Sequence, residues 1–164
     1  LMERMDRNID LEGSDITVNS LTSDTGVTVT AGGLGVTAGG VSVTAGGVDL
    51  LEGTLKLSNG GAIAQDTNKG TAVTLAKPTG KITMQATALA DATTVSFTVN
   101  CTGFGRATDV CIVNHHSIGT AGNYVVQAHG HATNSFVISV RNISGGSLSD
   151  AIILHYALIQ TAHT

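Results

Sequence analysis

Val95-Ser96-Phe97-Thr98-Val99, in which apolar and polar residues alternate strictly, is the stretch that decides the fold class. Successive side chains of a β-strand point to opposite faces of its sheet, so this alternation predicts a strand with one buried and one solvated face. Phe136, Ile138 and Val140 repeat the same spacing further along the chain. Half-buried strands of this kind are typical of a β-sandwich.

Outward from these two stretches, strand-length runs continue at fairly even spacing through residues 62–164. Segments rich in Gly, Asn and Ser separate the runs, as turn chemistry requires. About seven or eight short strands in about 100 residues predict a C-terminal β-sandwich head, jelly-roll-like in arrangement. The predicted strands are Thr71–Ala76, Lys81–Ala86, Thr93–Cys101, Asp109–Asn114, Tyr124–His129, Ser135–Asn142 and Ala151–Gln160.

A seven-residue repeat precedes these strands and fills residues 27–61. Its first unit is Val27-Thr28-Val29-Thr30-Ala31-Gly32-Gly33, and each unit has apolar residues at its first and third positions. A coiled coil has the same period, but each Gly costs about 1 kcal/mol in a helix interior, and the first three units are rich in Gly. Collagen is excluded because Gly does not occupy every third position. The interpretation that remains for the repeat is a series of short strands joined by Gly turns.

One chain cannot bury this repeat, because each unit offers only two aliphatic side chains on one face. Three chains wound about a common axis would each contribute one face to a triangular core, with Gly allowing close backbone approach. We therefore predict an all-β protein with an N-terminal connector (1–26), an intertwined trimeric β-helix stalk (27–61) and a β-sandwich head (62–164). The alternative is a flexible linker, which the regular Val and Leu alternation disfavours. The last predicted strand is apolar on both faces, which also indicates contact between subunits.

Three segments resemble bacteriophage tail-fibre and head-fibre proteins: the run from Gly61 to Asp66, the turn from Lys77 to Met84, and the segment from Arg141 to Ala151. The Gly-rich heptads upstream are similar to the shafts of such fibres. This resemblance implies a homotrimeric appendage on the virion surface, attached to other virion proteins through its N-terminal end, whose distal head contacts a host-surface glycan or protein. A purely structural capsid-decorating fibre or filament subunit without its own receptor is the alternative.

Composition and charge argue against several other classes of partner, namely nucleic acids, membranes and cofactors. The net charge is −4, only 12% of residues are charged, and the basic residues form no stripe, so no nucleic-acid binding is expected. No apolar run approaches the length that crosses a bilayer, so no membrane insertion is expected. The first seven residues lack the apolar core of a secretory signal peptide. No cofactor motif occurs.

An enzyme is not expected either. Glycoside cleavage usually needs two carboxylates at a controlled separation. The predicted head offers only aspartates in or beside turn-like sequence, where capping of turns is their ordinary role. These residues are Asp66, Asp91, Asp109 and Asp150. We therefore predict no catalytic residues.

Histidines and cysteines leave two questions open. In His129-Gly130-His131 the two rings are expected on one side of a strand, and three such pairs at a trimer axis would suit a transition metal. The alternative, surface or interface histidines without metal, is the prediction adopted here. Cys101 and Cys111 are expected to be buried free thiols, although a cross-strand pair is the alternative.

Receptor contacts are expected from loops, which carry variable side chains on a rigid scaffold. The long connections at Thr102–Thr108 and Ser117–Asn123 are the candidates. Phe104, Arg106 and Asn123 are their predicted receptor-binding residues, because they combine an apolar anchor with polar groups.

The trimer prediction is tested by Val36→Asp. In a three-chain stalk this change places three carboxylates in one core layer, each at a cost of several kcal/mol, and the trimer should not assemble. Light scattering should give about three times 16.6 kDa for the unaltered chain and a smaller mass for the variant. A monomeric unaltered chain would contradict the architecture, and an unaffected variant would place Val36 in solvent.

Overall fold

The computed structural model describes residues 35–36, 41–43, 48, 50, 53, 55–57 and 59–161. The chain divides into two compact units, Leu1–Asp49 and Leu50–Thr164. The predicted connector over residues 1–26 lies outside the described residues, and so does most of the predicted stalk over residues 27–61. The second unit contains all the regular structure described below.

All regular structure in the described part of the chain is β-strand, without a helix, which confirms the predicted all-β class. The two stretches with alternating residues form β4 and β7, as the sequence predicts. The eight strands are β1 (Gly60–Ala64), β2 (Val73–Thr74), β3 (Thr79–Thr83), β4 (Thr94–Asn100), β5 (Val110–Ser117), β6 (Tyr124–Ala132), β7 (Ser135–Asn142) and β8 (Ile153–Ile159).

The strands form two four-stranded sheets, sheet A in the order β1-β3-β8-β5 and sheet B in the order β2-β4-β7-β6. Each sheet is mixed: β1 pairs parallel with β3 and β2 pairs parallel with β4, while the other pairs are antiparallel. These parallel edges differ from the expected jelly-roll-like arrangement, which is antiparallel.

Two differences from the predicted strands concern Gly-rich backbone. Strand β1 was not predicted, and its first two residues, Gly60 and Gly61, fall within the segment assigned to the stalk. Strand β3 begins at Thr79, before the predicted strand Lys81–Ala86 and inside the segment from Lys77 to Met84 that was interpreted as a turn. Both differences arise because Gly was interpreted as a turn signal, whereas here the missing side chains allow close packing: a Cβ on Gly80 would lie 2.3 Å from Cε1 of Tyr156.

The core lies between the inner faces of the two sheets. Sheet B contributes the residues that alternate along β4 and β7, and sheet A contributes Ile82 and alternate residues of β8. The rings of Phe136 on β7 and Tyr156 on β8 meet edge to face with centroids 5.2 Å apart, which joins the two layers directly. The sandwich is therefore built mainly from aliphatic side chains, as a composition with 3% aromatic residues requires.

Successive strands run in opposite directions along the sandwich, and this sorts the loops into two groups. At the proximal end, where β1 begins, lie the connections 75–78, 101–109 and 133–134. At the distal end lie the connections 65–72, 84–93, 118–123 and 143–152. The longer connections are mostly distal, so that end presents most of the loop surface.

Substitution at Gly80 tests the close packing of β3 against Tyr156. Gly80→Ala should lower the free energy of unfolding by about 1–3 kcal/mol, because the added methyl group overlaps the Tyr156 ring and Leu75 Cδ2. Gly146→Ala is the matched control, since a Cβ there meets nothing within 4 Å. Denaturant unfolding of both variants measures the effect. Equal stabilities would contradict the described packing of β3 against Tyr156.

Candidate functional site

The predicted receptor-binding residues lie at opposite ends of the sandwich. Phe104 and Arg106 belong to the proximal connection 101–109, and Asn123 belongs to the distal connection 118–123. Strand β5 runs between these two loops, and at about 3.3 Å per residue it separates them by about 23 Å. The structure therefore does not bring the three residues into one site.

The proximal loop is closed upon itself. The Phe104 side chain is half-buried and packs against the core. Asp109 is buried, and its Oδ2 accepts a hydrogen bond of 2.9 Å from the Arg106 backbone N–H, while its Oδ1 has no partner among the described residues. Arg106 alone of these residues is exposed. The loop thus serves mainly to connect β4 to β5, with one cation on its surface.

The distal loops are tied together by a buried lysine. Lys69 is only 3% exposed, and its Nζ donates to the carbonyl oxygens of Gln85 and Asp150 at 2.6 Å and 2.5 Å. Burial lowers the pKa of Lys69, and the nearby Asp150 carboxylate raises it in partial compensation. One side chain therefore links three of the four distal connections, 65–72, 84–93 and 143–152.

Two buried amides extend this network. The Gln65 Nε2 donates to the carbonyl oxygens of Lys69 and Thr71 at 3.0 Å and 2.8 Å. The Asn142 Nδ2 donates to the carbonyl oxygens of Leu89 and Gly146 at 2.8 Å and 2.7 Å. Because these buried amides donate to backbone carbonyl groups that would otherwise be unsatisfied, they hold the loop backbones in place.

The remaining distal connection, 118–123, joins the network through Tyr124 and Asp150. The Tyr124 hydroxyl donates to Asp150 Oδ2 at 2.9 Å. Burial, together with the hydrogen bond and the negative charge of Asp150, raises the pKa of Tyr124 to about 12. The His115 Nε2 makes a 2.7 Å hydrogen bond to the Ile118 carbonyl oxygen and holds the start of the same loop.

Two non-glycine residues in the distal connections have a positive φ, Ala92 at 57° and Ile118 at 63°. Of the two, Ile118 is β-branched, a residue type that rarely adopts the left-handed region, and its side chain is 51% exposed. Ile143 is also half-exposed, and its backbone N–H donates to the Asn123 carbonyl oxygen at 2.9 Å. We call Ile118, Asn123 and Ile143 the distal patch. A strained, exposed residue held by its neighbours is typical of binding sites.

Sequence reasoning named Asn123 as a candidate but did not point to the other residues of this end. The burial of Lys69 could not be predicted from the sequence, because lysine is almost never fully buried and this burial depends on three separate loops. Ile118 stands directly before Gly119 in a segment interpreted only as a loop, and its positive φ is a property of the folded backbone. Single exposed aliphatic residues are common on protein surfaces, so neither isoleucine stood out.

The expectation for His129 and His131 is wrong in geometry. Strand β6 has a bulge between His129 and Ala132, and Gly130 has a φ of 59°. The bulge reverses the alternation, so His129 shares a 2.6 Å hydrogen bond with Ser139 on the outer face, whereas the His131 ring stacks on buried Phe136. No group of three or more His, Cys, Asp or Glu side chains suited to a metal ion occurs among the described residues.

Cysteines and carboxylates have ordinary roles in the described residues. Cys101 and Cys111 are free, the first buried and the second half-buried, and burial raises the pKa of Cys111 to about 12, with a smaller contribution from Cys101. Each described aspartate accepts a hydrogen bond, but the donors to Asp91 and Asp150 are distant in sequence. Asp91 accepts one from the Gly145 backbone N–H at 2.9 Å. That contact joins two distal loops, whereas a turn-capping aspartate would accept from its own turn.

The described surface also has a shallow groove of about 200 Å³ on sheet A near the proximal end. Backbone of Gly60 and Gly80 lines it, with Lys81 and His155 beside them. It is smaller than the pockets of about 300–1,000 Å³ that enclose drug-sized ligands. We therefore do not take this groove as the candidate binding surface.

The raised pKa of Tyr124 predicts a loss of stability in alkali. The folded protein keeps this hydroxyl protonated to about pH 12, whereas the unfolded chain releases the proton near pH 10. The folded state then binds more protons between these values, so its stability falls as the pH rises through this window and is unaffected below it. Tyr124→Phe removes the titrating group, and its melting temperature should fall less steeply from pH 10 to 12 than that of the unaltered chain.

At neutral pH the same variant should be less stable by about 1 kcal/mol, since Asp150 loses its phenolic donor. Tyr156 and Cys111 titrate in both proteins, so the comparison isolates Tyr124. Parallel melting curves across the alkaline range would contradict the coupling of Tyr124 to Asp150.

Within the described residues, no helix is long and apolar enough to span a bilayer. No protein-family model matches the sequence, and comparisons with curated proteins and with solved structures find no significant match.

Proposed function

We propose that this chain is one protomer of a trimeric fibre on a bacteriophage particle, and that the distal end of its sandwich binds the host surface. The proposal is supported by the phrases resembling tail-fibre and head-fibre proteins, among them the segment from Arg141 to Ala151. It is consistent with an all-β chain whose second unit is a β-sandwich with long loops at one end. The fibre would attach to other virion proteins through its N-terminal end.

Support for the trimeric β-helix stalk comes from the described residues of the repeat. Every described Val and Leu there is exposed in a single chain, at the positions Val36, Val41, Val43, Val48, Leu50, Leu55 and Leu57. Removing aliphatic surface from water lowers the free energy by about 25 cal/mol per Å². Seven such side chains therefore favour association with further chains. Three chains around one axis would cover them while the Gly residues permit close approach.

The observation that carries the adhesin proposal is the strained backbone of Ile118. The positive φ accompanies an exposed aliphatic side chain in the same distal loop as Asn123, among loops that buried Lys69 and Tyr124 hold in place. Such a conformation costs about 1–3 kcal/mol and persists where the surroundings enforce it. A rigid loop loses little entropy on binding, which favours recognition.

The positions of the predicted binding residues support different roles for them. Asn123 lies at the distal end, in the distal patch. Arg106 lies at the proximal end, where β1 begins, and Phe104 packs on the core. We therefore propose the distal patch, and not the loop of Phe104 and Arg106, as the receptor contact.

Ile118→Asn tests this proposal, because Asn tolerates a positive φ and has a similar size. The fold should be retained or slightly stabilised, while retention of the full-length protein by isolated bacterial envelope fractions should fall by at least about tenfold, since trivalent attachment amplifies the loss at each site. Arg106→Ser is the control at the proximal end and should bind like the unaltered chain. Thermal unfolding of both variants checks the fold.

Two results would count against the proposal. Equal retention of Ile118→Asn and the unaltered chain would remove the distal patch from the contact. No retention of the unaltered chain by any envelope fraction would favour the purely structural fibre or filament subunit instead.

A further inference from the structure

The shallow groove on sheet A exists because one row of residues across the sheet is small. Gly60, Thr79 and Ala157 lie opposite one another on β1, β3 and β8. Two positions further along β3, Lys81 lies opposite His155 of β8. Residues two apart on a strand point to the same face, so these longer side chains stand at one side of the small row. Together they border a depression of about 200 Å³.

Three basic side chains meet beside this groove. Lys81 and His155 are directly opposite in the antiparallel pair of β3 and β8, which places their Cβ atoms about 4.5–5.5 Å apart. The ring of His155 stacks on the ring of His116 from β5, with centroids 3.8 Å apart and ring planes 10° apart. All three side chains are exposed. We call Lys81, His116 and His155 the basic cluster.

No acidic side chain of the same sheet neutralises the basic cluster. Strands β1, β3, β5 and β8 contain no Asp or Glu. The Lys81 ammonium group makes no hydrogen bond or ion pair among the described residues. The whole chain nevertheless has a net charge of −4, so this local excess of basic groups runs against its overall charge. A cation without a partner at the rim of a groove attracts an anionic ligand.

We propose that this groove binds an oxyanion of the size of sulfate or phosphate, held by Lys81 and His155. The Thr79 hydroxyl also lines the groove and has no hydrogen-bond partner among the described residues, so it is a further donor. A groove of about 200 Å³ is too small to enclose a larger ligand but accommodates one such group, free or esterified to a saccharide. The inference does not rest on the proposed fibre, because the groove is separate from the distal patch.

Proton binding and oxyanion binding are coupled at this site through His155. Burial lowers the pKa of His155, and the charges of His116 and Lys81 lower it further. These are the titratable groups that face it, from β5 and β3; β1 has none, and Tyr156 of β8 is buried in the core. A bound oxyanion offsets the repulsion within the basic cluster and raises the pKa of His155. By linkage, the oxyanion binds more tightly as the pH falls and His155 takes up its proton.

A titration of the full-length protein with sodium sulfate at constant ionic strength tests the site, with NMR of the histidine rings as the readout. Sulfate keeps its charge over the range used, so any pH dependence belongs to the protein. The dissociation constant should be at least about fivefold lower near pH 5.5 than near pH 7.5, and sulfate should raise the pKa of His155. His155→Gln should lose most of this pH dependence and retain weak binding through Lys81.

Lys81→Gln and Arg141→Gln are matched variants. Each removes one exposed cation from the outer face of a central strand, β3 in sheet A and β7 in sheet B. Lys81→Gln should weaken sulfate binding at least about tenfold at both pH values, because it removes a charged hydrogen-bond donor. Arg141→Gln should bind sulfate like the unaltered chain. Thermal unfolding checks that both variants keep the fold.

Dextran sulfate and uncharged dextran identify the source of the oxyanion. Tighter binding of dextran sulfate than of inorganic sulfate, lost in Lys81→Gln, would assign an ester carried by a saccharide, and equal binding per sulfate group would assign the free anion. Equal effects of Lys81→Gln and Arg141→Gln, equal binding of uncharged dextran, shifts that do not saturate, or an affinity independent of pH would overturn the site. Each of these four results would leave the proposed fibre and its distal patch intact.

Discussion

The contact between the inner faces of two sheets, centred on Phe136 and Tyr156, is the interaction on which the rest of this structure depends. A chain without Trp and with few aromatic residues has few large side chains to bury. It builds a core by laying two thin sheets of aliphatic residues face to face, so that each strand contributes alternate side chains. The close approach of β3 to Tyr156 at Gly80 belongs to the same arrangement, because a Cβ at this position would overlap the Tyr156 ring.

A second constraint acts at the distal end, where four connections must satisfy their backbone polar groups without regular structure. Buried Lys69 and Asn142 supply donors to carbonyl groups from different loops, and Tyr124 donates to Asp150. A buried lysine is costly unless it is hydrogen-bonded, and here two carbonyl oxygens receive its ammonium group. The network makes the distal end rigid enough to hold Ile118 in a conformation that an isolated peptide would avoid.

The outer faces of the two sheets carry different kinds of side chain. On the outer face of sheet B, Ser139 shares hydrogen bonds with Ser96 and His129. The outer face of sheet A exposes Val110, Ile112 and Ile159, and the described part of the repeat exposes further Val and Leu residues. The core between the two sheets accounts for the inner residues of β8 but not for Ile159, which is exposed on the outer face of sheet A.

By itself, the sequence determined the all-β class and the positions of most strands, because alternation at every second residue depends only on strand geometry. It also indicated β8 as a strand with two apolar faces, whereas Asp91, expected to cap its own turn, accepts a hydrogen bond from Gly145 in another loop. The tertiary structure alone decided that Phe104 and Asn123 lie at opposite ends of β5 and that Lys69 is buried. It also decided that Gly130 directs His129 and His131 to different faces. Strand direction, loop packing and bulges are set by contacts between residues far apart in the chain, and periodicity along one segment contains no information about those contacts.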